Sequence, residues 1–145
     1  MHSKAIAFLP FIILFTGLPL YAQEWQSEVS TALRSASQSN KKVLLYFSAG
    51  KSCEECRVIE ESVFSTDAFL EYAQPLYVLT RVAFDANAEP EKKAENLLVV
   101  EKYNKDGFFP FVVVVDRSGR VIGNTGIYEG EDAEAFIRKL RALSR

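Results

Sequence analysis

Histidine is almost missing from this chain. Its single copy, His2, lies in a segment read below as an export signal. Without that segment the protein has no imidazole. This excludes Ser-His and Cys-His catalysis, and any His-ligated metal site within one chain. Cysteine is limited to Cys53 and Cys56. A chain of 145 residues is long enough to bury a core without disulfide staples, so the pair is not needed as scaffolding. No basic run stands out and the net charge is −2, so nucleic-acid binding has no electrostatic support. There is no internal repeat and no low-complexity linker. Hydrophobic residues at 48% against 25% charged exclude a disordered composition.

Acidic residues are absent before Glu24. Lys4 gives a short positive start, Ala5 to Leu20 is mostly apolar, and Leu20-Tyr21-Ala22 ends the run on a small residue. This is the layout of a secretory signal peptide over residues 1–22, cleaved after Ala22. A transmembrane anchor is the rival, but Pro10, Gly17 and Pro19 interrupt a run that is also short for a span. No cysteine near the cleavage point argues for lipid attachment. Loss of Lys4 takes the 17 basic residues to 16 against 19 acidic, a mature charge of −3. The expected domain is residues 23–145 of an exported protein, periplasmic or secreted.

Within that domain, Trp25, Val29, Ala32, Leu33 and Ala36 recur at helical spacing over Glu24 to Ser37. Lys42 to Ser48 holds the continuous apolar run VLLYF, which suits a central strand buried on both faces. After the Ala49–Ser52 loop, Ser52 is the expected N-cap of a helix from Cys53 to about Val63, and Glu55 completes a capping box. Ser65 or Thr66 caps a second short helix. Leu76 to Phe84 reads as a strand and Glu91 to Tyr103 as a helix. Phe111 to Val115 is a second fully apolar strand. Asp116 to Gly119 turns the chain into a returning strand over Arg120 to Asn124. A helix over Glu131 to Leu143 closes the chain. The fold class is α/β: a central mixed β-sheet of four strands flanked by helices on both faces.

The cysteines carry the chemistry. Cys53-Glu54-Glu55-Cys56 follows a buried strand and opens a helix, and two intervening residues allow a small disulfide ring. A helix N-terminus favours a thiolate at Cys53, while Cys56 lies one turn inward. That asymmetry yields an attacking and a resolving thiol. Two blander readings stand beside it. A structural disulfide closing so short a loop adds little stability. Half of a zinc site would need ligands from a second chain.

Further landmarks in order resemble the thioredoxin superfamily, specifically its exported thioredoxin-like thiol-disulfide oxidoreductases. They are Val43 to Gly50 as central strand and loop, Cys53 and Cys56 as redox pair, and Glu61 to Thr66 as the link after the active-site helix. Phe109-Pro110 stands where the family has a cis-proline beside the disulfide, and Asp116 to Arg120 is similar to the final hairpin turn. The resemblance implies a thioredoxin-like fold, a cis Pro110, and a substrate-binding role for Phe109 and Pro110 beside an extended substrate segment. It departs from the family at three places. Ser52 replaces the Trp before the first Cys, Tyr46 replaces a buried Asp on the central strand, and Glu54-Glu55 replaces Gly-Pro.

The expected function is exchange of disulfides with protein substrates through catalytic Cys53 and Cys56. No cofactor and no resident metal is expected. The two carboxylates in the first helical turn disfavour a neighbouring thiolate, opposed in part by Lys51, which points to a reductant. The partners are disulfide-containing proteins and a thiol electron donor, membrane-bound by the family resemblance, for a monomeric protein that does not bind nucleic acid. The alternatives are a redox-inert thioredoxin-like binding module and a soft-metal carrier using both thiolates.

Overall fold

A computed structural model describes residues 24–143. The expected signal segment 1–22 lies outside the described residues. The elements run α1 (Val29–Ser39), β1 (Lys42–Ser48), α2 (Glu54–Ile59), α3 (Asp67–Ala73), β2 (Tyr77–Ala83), α4 (Pro90–Tyr103), β3 (Phe111–Val115), β4 (Val121–Asn124) and α5 (Ala133–Leu143). The four strands form one sheet in the order β2-β1-β3-β4. β1 pairs parallel with β2 and antiparallel with β3, and β3 pairs antiparallel with β4. The mixed four-stranded sheet expected from the sequence is therefore present. Among the described residues, no helix is long and apolar enough to cross a membrane.

Alternation along the strands divides the core in two. Leu44 and Tyr46 of β1 face one layer with Leu79, Val112 and Val114, where Ile59, Phe69, Phe136 and Leu140 cover them from α2, α3 and α5. Val43, Leu45 and Phe47 face the other layer with Val82, Val113 and Val115, covered by Val29, Ala32 and Ala36 of α1 and Tyr103 of α4. β1 is thus buried on both sides, which is why its sequence is a continuous apolar run rather than an alternating one.

Two local expectations change. The first helix starts at Val29, not near Glu24. Gln26 instead pairs with the edge of β2, its N–H donating to the Leu79 carbonyl at 2.9 Å and its carbonyl accepting from Arg81 N–H at 2.8 Å. Trp25 packs against Tyr46 and Phe64 at ring-centroid distances of 5.8 and 5.1 Å. These contacts lie on the sheet face opposite to α1, so the chain must cross the β2 edge before the helix can begin. The second change concerns the helix after the cysteines. α2 widens into a π-helical turn over Glu60–Phe64. Phe64 is buried there among Trp25, Tyr46, Phe69 and Phe136. Thr66 then caps α3 by accepting from Phe69 N–H at 3.3 Å.

Phe64 joins the N-terminal segment, β1, α3 and α5 through four ring contacts. Phe64→Ala should lower unfolding stability by about 3–5 kcal/mol, the usual loss for removing a buried aromatic. Urea denaturation followed by circular dichroism measures it.

Candidate active site

The site lies at the C-terminal end of β1. A tight loop leaves the strand at Ser48, where Phe84 N–H donates to the Ser48 carbonyl at 2.9 Å. Gly50 passes so close to Phe84 that a Cβ would stand 2.6 Å from the Phe84 carbonyl oxygen, and its φ of +85° is a glycine conformation. Cys53 follows and caps α2. Cys53 and Cys56 are joined, with S–S 2.05 Å and Cα–Cα 5.2 Å. Cys53 is half-buried and Cys56 is 1% exposed.

The expected Ser52 cap with its capping box does not form. Cys53 is the N-cap, and its Sγ accepts from Cys56 N–H at 3.2 Å. The bridge to Cys56 holds that sulfur over the helix start and so supplies the acceptor that a serine hydroxyl would have provided. The expected asymmetry of the two sulfurs is present.

Phe109-Pro110 is a cis peptide bond, as the family resemblance implies. Phe111 stands opposite Phe47 in the β1–β3 register, so Pro110 enters the sheet at the end where the Cys53 loop leaves it. Phe109 packs on Phe84 at 5.5 Å, and Phe108 is exposed against Phe111 at 5.9 Å. Asn104 shapes the approach to Pro110: its Nδ2 donates to the Phe108 carbonyl at 2.8 Å and its Oδ1 accepts from Phe108 N–H at 3.1 Å. In the sequence Asn104 marks only the end of the helix over Glu91 to Tyr103. Its buried position and its reach of four residues show the second task.

Behind Cys56 stands a polar cluster that the sequence did not reveal. Tyr46 of β1 places its hydroxyl 3.0 Å from Glu60 Oε1 and 3.3 Å from the Cys56 carbonyl oxygen. Arg81 of β2 pairs with Glu60 at 3.4 Å and lies over the rings of Trp25 and Tyr46. Burial, followed by smaller electrostatic effects from Glu60, holds the Tyr46 hydroxyl protonated well above the usual tyrosine range. Glu60 lies four residues beyond Cys56, on the same side of the helix. That spacing was visible, but its partners come from other strands.

The charges at the head of α2 also differ from expectation. Glu54 does not stand as a free carboxylate beside Cys53. Arg57 grips it with Nε at 3.1 Å and Nη2 at 2.5 Å, and reaches Glu61 with Nη1 at 2.7 Å. The hydrogen bond and charge of Arg57 hold the Glu54 carboxyl below its ordinary value. Among the described residues no group of three or more His, Cys, Asp or Glu side chains is placed to hold a metal.

Residues 29–141 match the family model described as Thioredoxin-like domain. The chain belongs to this thioredoxin-like family. It is 23% identical over 120 residues to the disulfide bond reductase DsbH of Chlamydia pneumoniae, covering 82% of this chain and 71% of that protein. Its fold is similar to the solved DsbH oxidoreductase, with a TM-score of 0.74 at 20% identity over 92% of this chain and 94% of the other. It is also similar to a thioredoxin from Thermus thermophilus, with a TM-score of 0.65 at 18% identity over 84% and 88%. At such identities the structural likeness shows the fold alone.

Two outcomes follow from these charges. Arg57→Gln frees the Glu54 and Glu61 carboxylates near Cys53, so the dithiol should become more reducing. The equilibrium constant with glutathione should change by no more than a few-fold, because these groups are exposed and screened. Equilibration in glutathione buffers reads the shift. The second concerns alkaline pH. Tyr46 stays protonated when folded, whereas unfolded tyrosines ionise near pH ~10. The unfolded state then binds fewer protons, and stability should fall as pH rises through about 10. Tyr46→Phe should flatten that decline in urea titrations between pH 8 and ~11.

Proposed function

We propose that this protein is an exported thiol-disulfide oxidoreductase that reduces disulfides in protein substrates through Cys53 and Cys56. The observation that carries the reading is the unequal exposure of the two bonded sulfurs at the end of β1. Cys53 is reachable at the helix cap and Cys56 is shielded one turn inside.

In the reduced protein, the Cys56 N–H that now donates to Cys53 Sγ stabilises a Cys53 thiolate. The thiolate attacks a substrate disulfide. One S–S bond breaks, a mixed disulfide forms, and the first substrate sulfur leaves as a thiolate. Cys56 then attacks Cys53 Sγ, restoring the Cys53–Cys56 bond and releasing the second substrate sulfur. The protein loses two electrons and the substrate gains them. In this reading the Cys56 proton passes to Glu60, the carboxylate one helical turn further on that Tyr46 and Arg81 hold. Pro110 enters the sheet at the end of β1 from which the Cys53 loop leaves, which supports an extended substrate segment lying against the Phe109 backbone.

Three features support the reducing direction. DsbH, the relative noted above, is named a disulfide bond reductase. Glu55 remains in the first helical turn beside Cys53. Among the described residues no histidine supplies a switchable positive charge near the sulfurs. The apolar N-terminal segment supports export, the oxidised pair in turn requires a thiol donor, and the family resemblance supports a membrane-bound donor facing the exported compartment.

Cys56→Ser should trap a mixed disulfide with a substrate protein, whereas Cys53→Ser should abolish both trapping and insulin reduction. Non-reducing gels and a turbidity assay test this. Trapping by Cys53→Ser alone would reverse the assignment, and wild-type protein inert toward insulin would favour a redox-inert binding module.

A further inference from the structure

Glu60 is held by Arg81, and few contacts hold Arg81 in turn. Its ion pair with Glu60 is long, at 3.4 Å, and its Nε is buried without a hydrogen-bond partner. The rest of the side chain is partly exposed, so the guanidinium has open space to move into. What keeps it in place is the two rings it lies over, Trp25 at 5.5 Å and Tyr46 at 5.8 Å from the ring centroids. Tyr46 is fully buried in β1 and fixed by the sheet. Trp25 comes from outside the four strands.

The backbone sets Trp25 at this position. Gln26 brackets Thr80: its N–H donates to the Leu79 carbonyl at 2.9 Å, and its carbonyl accepts from the Arg81 N–H at 2.8 Å. Successive residues of an extended chain point to opposite faces. The residue next to Gln26 therefore falls on the face that carries Leu79 and Arg81, and that residue is Trp25. Its ring also rests on Phe64 at 5.1 Å, at the far end of the π-helical turn that Glu60 opens. One side chain thus touches the cation that holds Glu60 and the turn that carries it. Glu60 in turn shares a cleft with Cys56.

We propose that Trp25 is a positioning residue for the resolving step: by holding the Arg81 guanidinium against its ring, it keeps Glu60 turned toward Cys56. The proposal rests on the thiol-disulfide reading, with Glu60 as acceptor of the Cys56 proton, and adds to it a residue outside the sheet. In the resolving step the Cys56 thiol gives its proton to the Glu60 carboxylate, and the sulfur attacks Cys53 Sγ. The bond between Cys53 and the substrate sulfur breaks, the Cys53–Cys56 bond forms, and the substrate sulfur leaves as a thiolate with the electron pair. Glu60 then passes its proton to water. The earlier attack by Cys53 uses none of these groups, because its thiolate is stabilised at the start of α2 by the Cys56 N–H. Loss of Trp25 should therefore separate the two steps.

The test mixes pre-reduced protein with a smaller amount of the chromogenic disulfide dithiobis-nitrobenzoate and follows thiol release by stopped flow. The first nitrothiobenzoate appears on attack by Cys53 and the second on resolution by Cys56, so one trace reads both steps. Trp25→Leu keeps an apolar side chain against Phe64 but offers Arg81 no ring. It should leave the first release within about twofold of wild type and slow the second by about tenfold. Trp25→Phe, which keeps a ring, should restore the second release. Added acetate should speed the second release of Trp25→Leu more than that of wild type, because a small carboxylate takes the proton that Glu60 no longer meets. Once Arg81→Met has slowed the second release, adding Trp25→Leu should slow it no further. Three outcomes overturn the positioning role alone: equal slowing of both releases, full additional slowing on top of Arg81→Met, or a second release unchanged in Trp25→Leu but slow in Glu60→Gln. A second release unchanged in Glu60→Gln overturns the proton-acceptor reading and this proposal with it. Wild type that releases only one nitrothiobenzoate and leaves insulin intact overturns the oxidoreductase reading as well.

Discussion

The site depends on a strand that has no solvent side. Val43 to Phe47 are fully buried, alternating between two helical layers. A slip of one residue would turn Tyr46 toward α1 and Leu45 toward Phe64, exchanging two differently shaped cores. The register is therefore fixed by packing on both faces. The loop from Ser48 to Cys53 is short, and Gly50 pins it against Phe84. The position of the sulfurs relative to Pro110 on one flank and Arg81 on the other follows from these constraints.

Around that fixed point the acids are held by cations on different elements. Arg57 takes Glu54 and Glu61 along the outer side of α2, and Arg81 takes Glu60 from the neighbouring strand. The outer pairs are exposed and contribute little to folding. Their effect is local, because the Arg57 guanidinium offsets the charge of carboxylates near the start of α2. The inner pair is half-buried and shares its carboxylate with the Tyr46 hydroxyl.

Much of this could be read from the sequence because its signals were local. The runs at Val43–Phe47 and Phe111–Val115 show burial on both faces without knowledge of what covers them. The cysteine spacing, the proline before β3 and the Asp116–Gly119 turn are each written in a few adjacent residues. What escaped reading was set by distant partners. Trp25 falls at helical spacing with Val29 and Ala32, so periodicity places it on α1; its burial against Phe64 on the other face wins instead. Ser52 and Glu55 spell a capping box, but a covalent bond from Cys53 takes the cap. Arg81 lies 21 residues from Glu60, and no pattern along the chain links them. Arg57 stood within reach of inference, since Glu54 and Glu61 are three and four residues away.

The strap formed by Trp25 and Gln26 has a practical consequence. Trp25 is the one tryptophan of the chain, so intrinsic emission reports a single place. That place is the wall behind Cys56, with Tyr46, Phe64 and the Arg81 guanidinium as neighbours. A fluorescence-detected melting curve thus follows the undocking of an edge segment, whereas circular dichroism follows the helices. Agreement of the two would mean that the segment leaves only when the domain unfolds, and an earlier optical transition would mean that the wall behind the buried sulfur opens while the sheet is still intact.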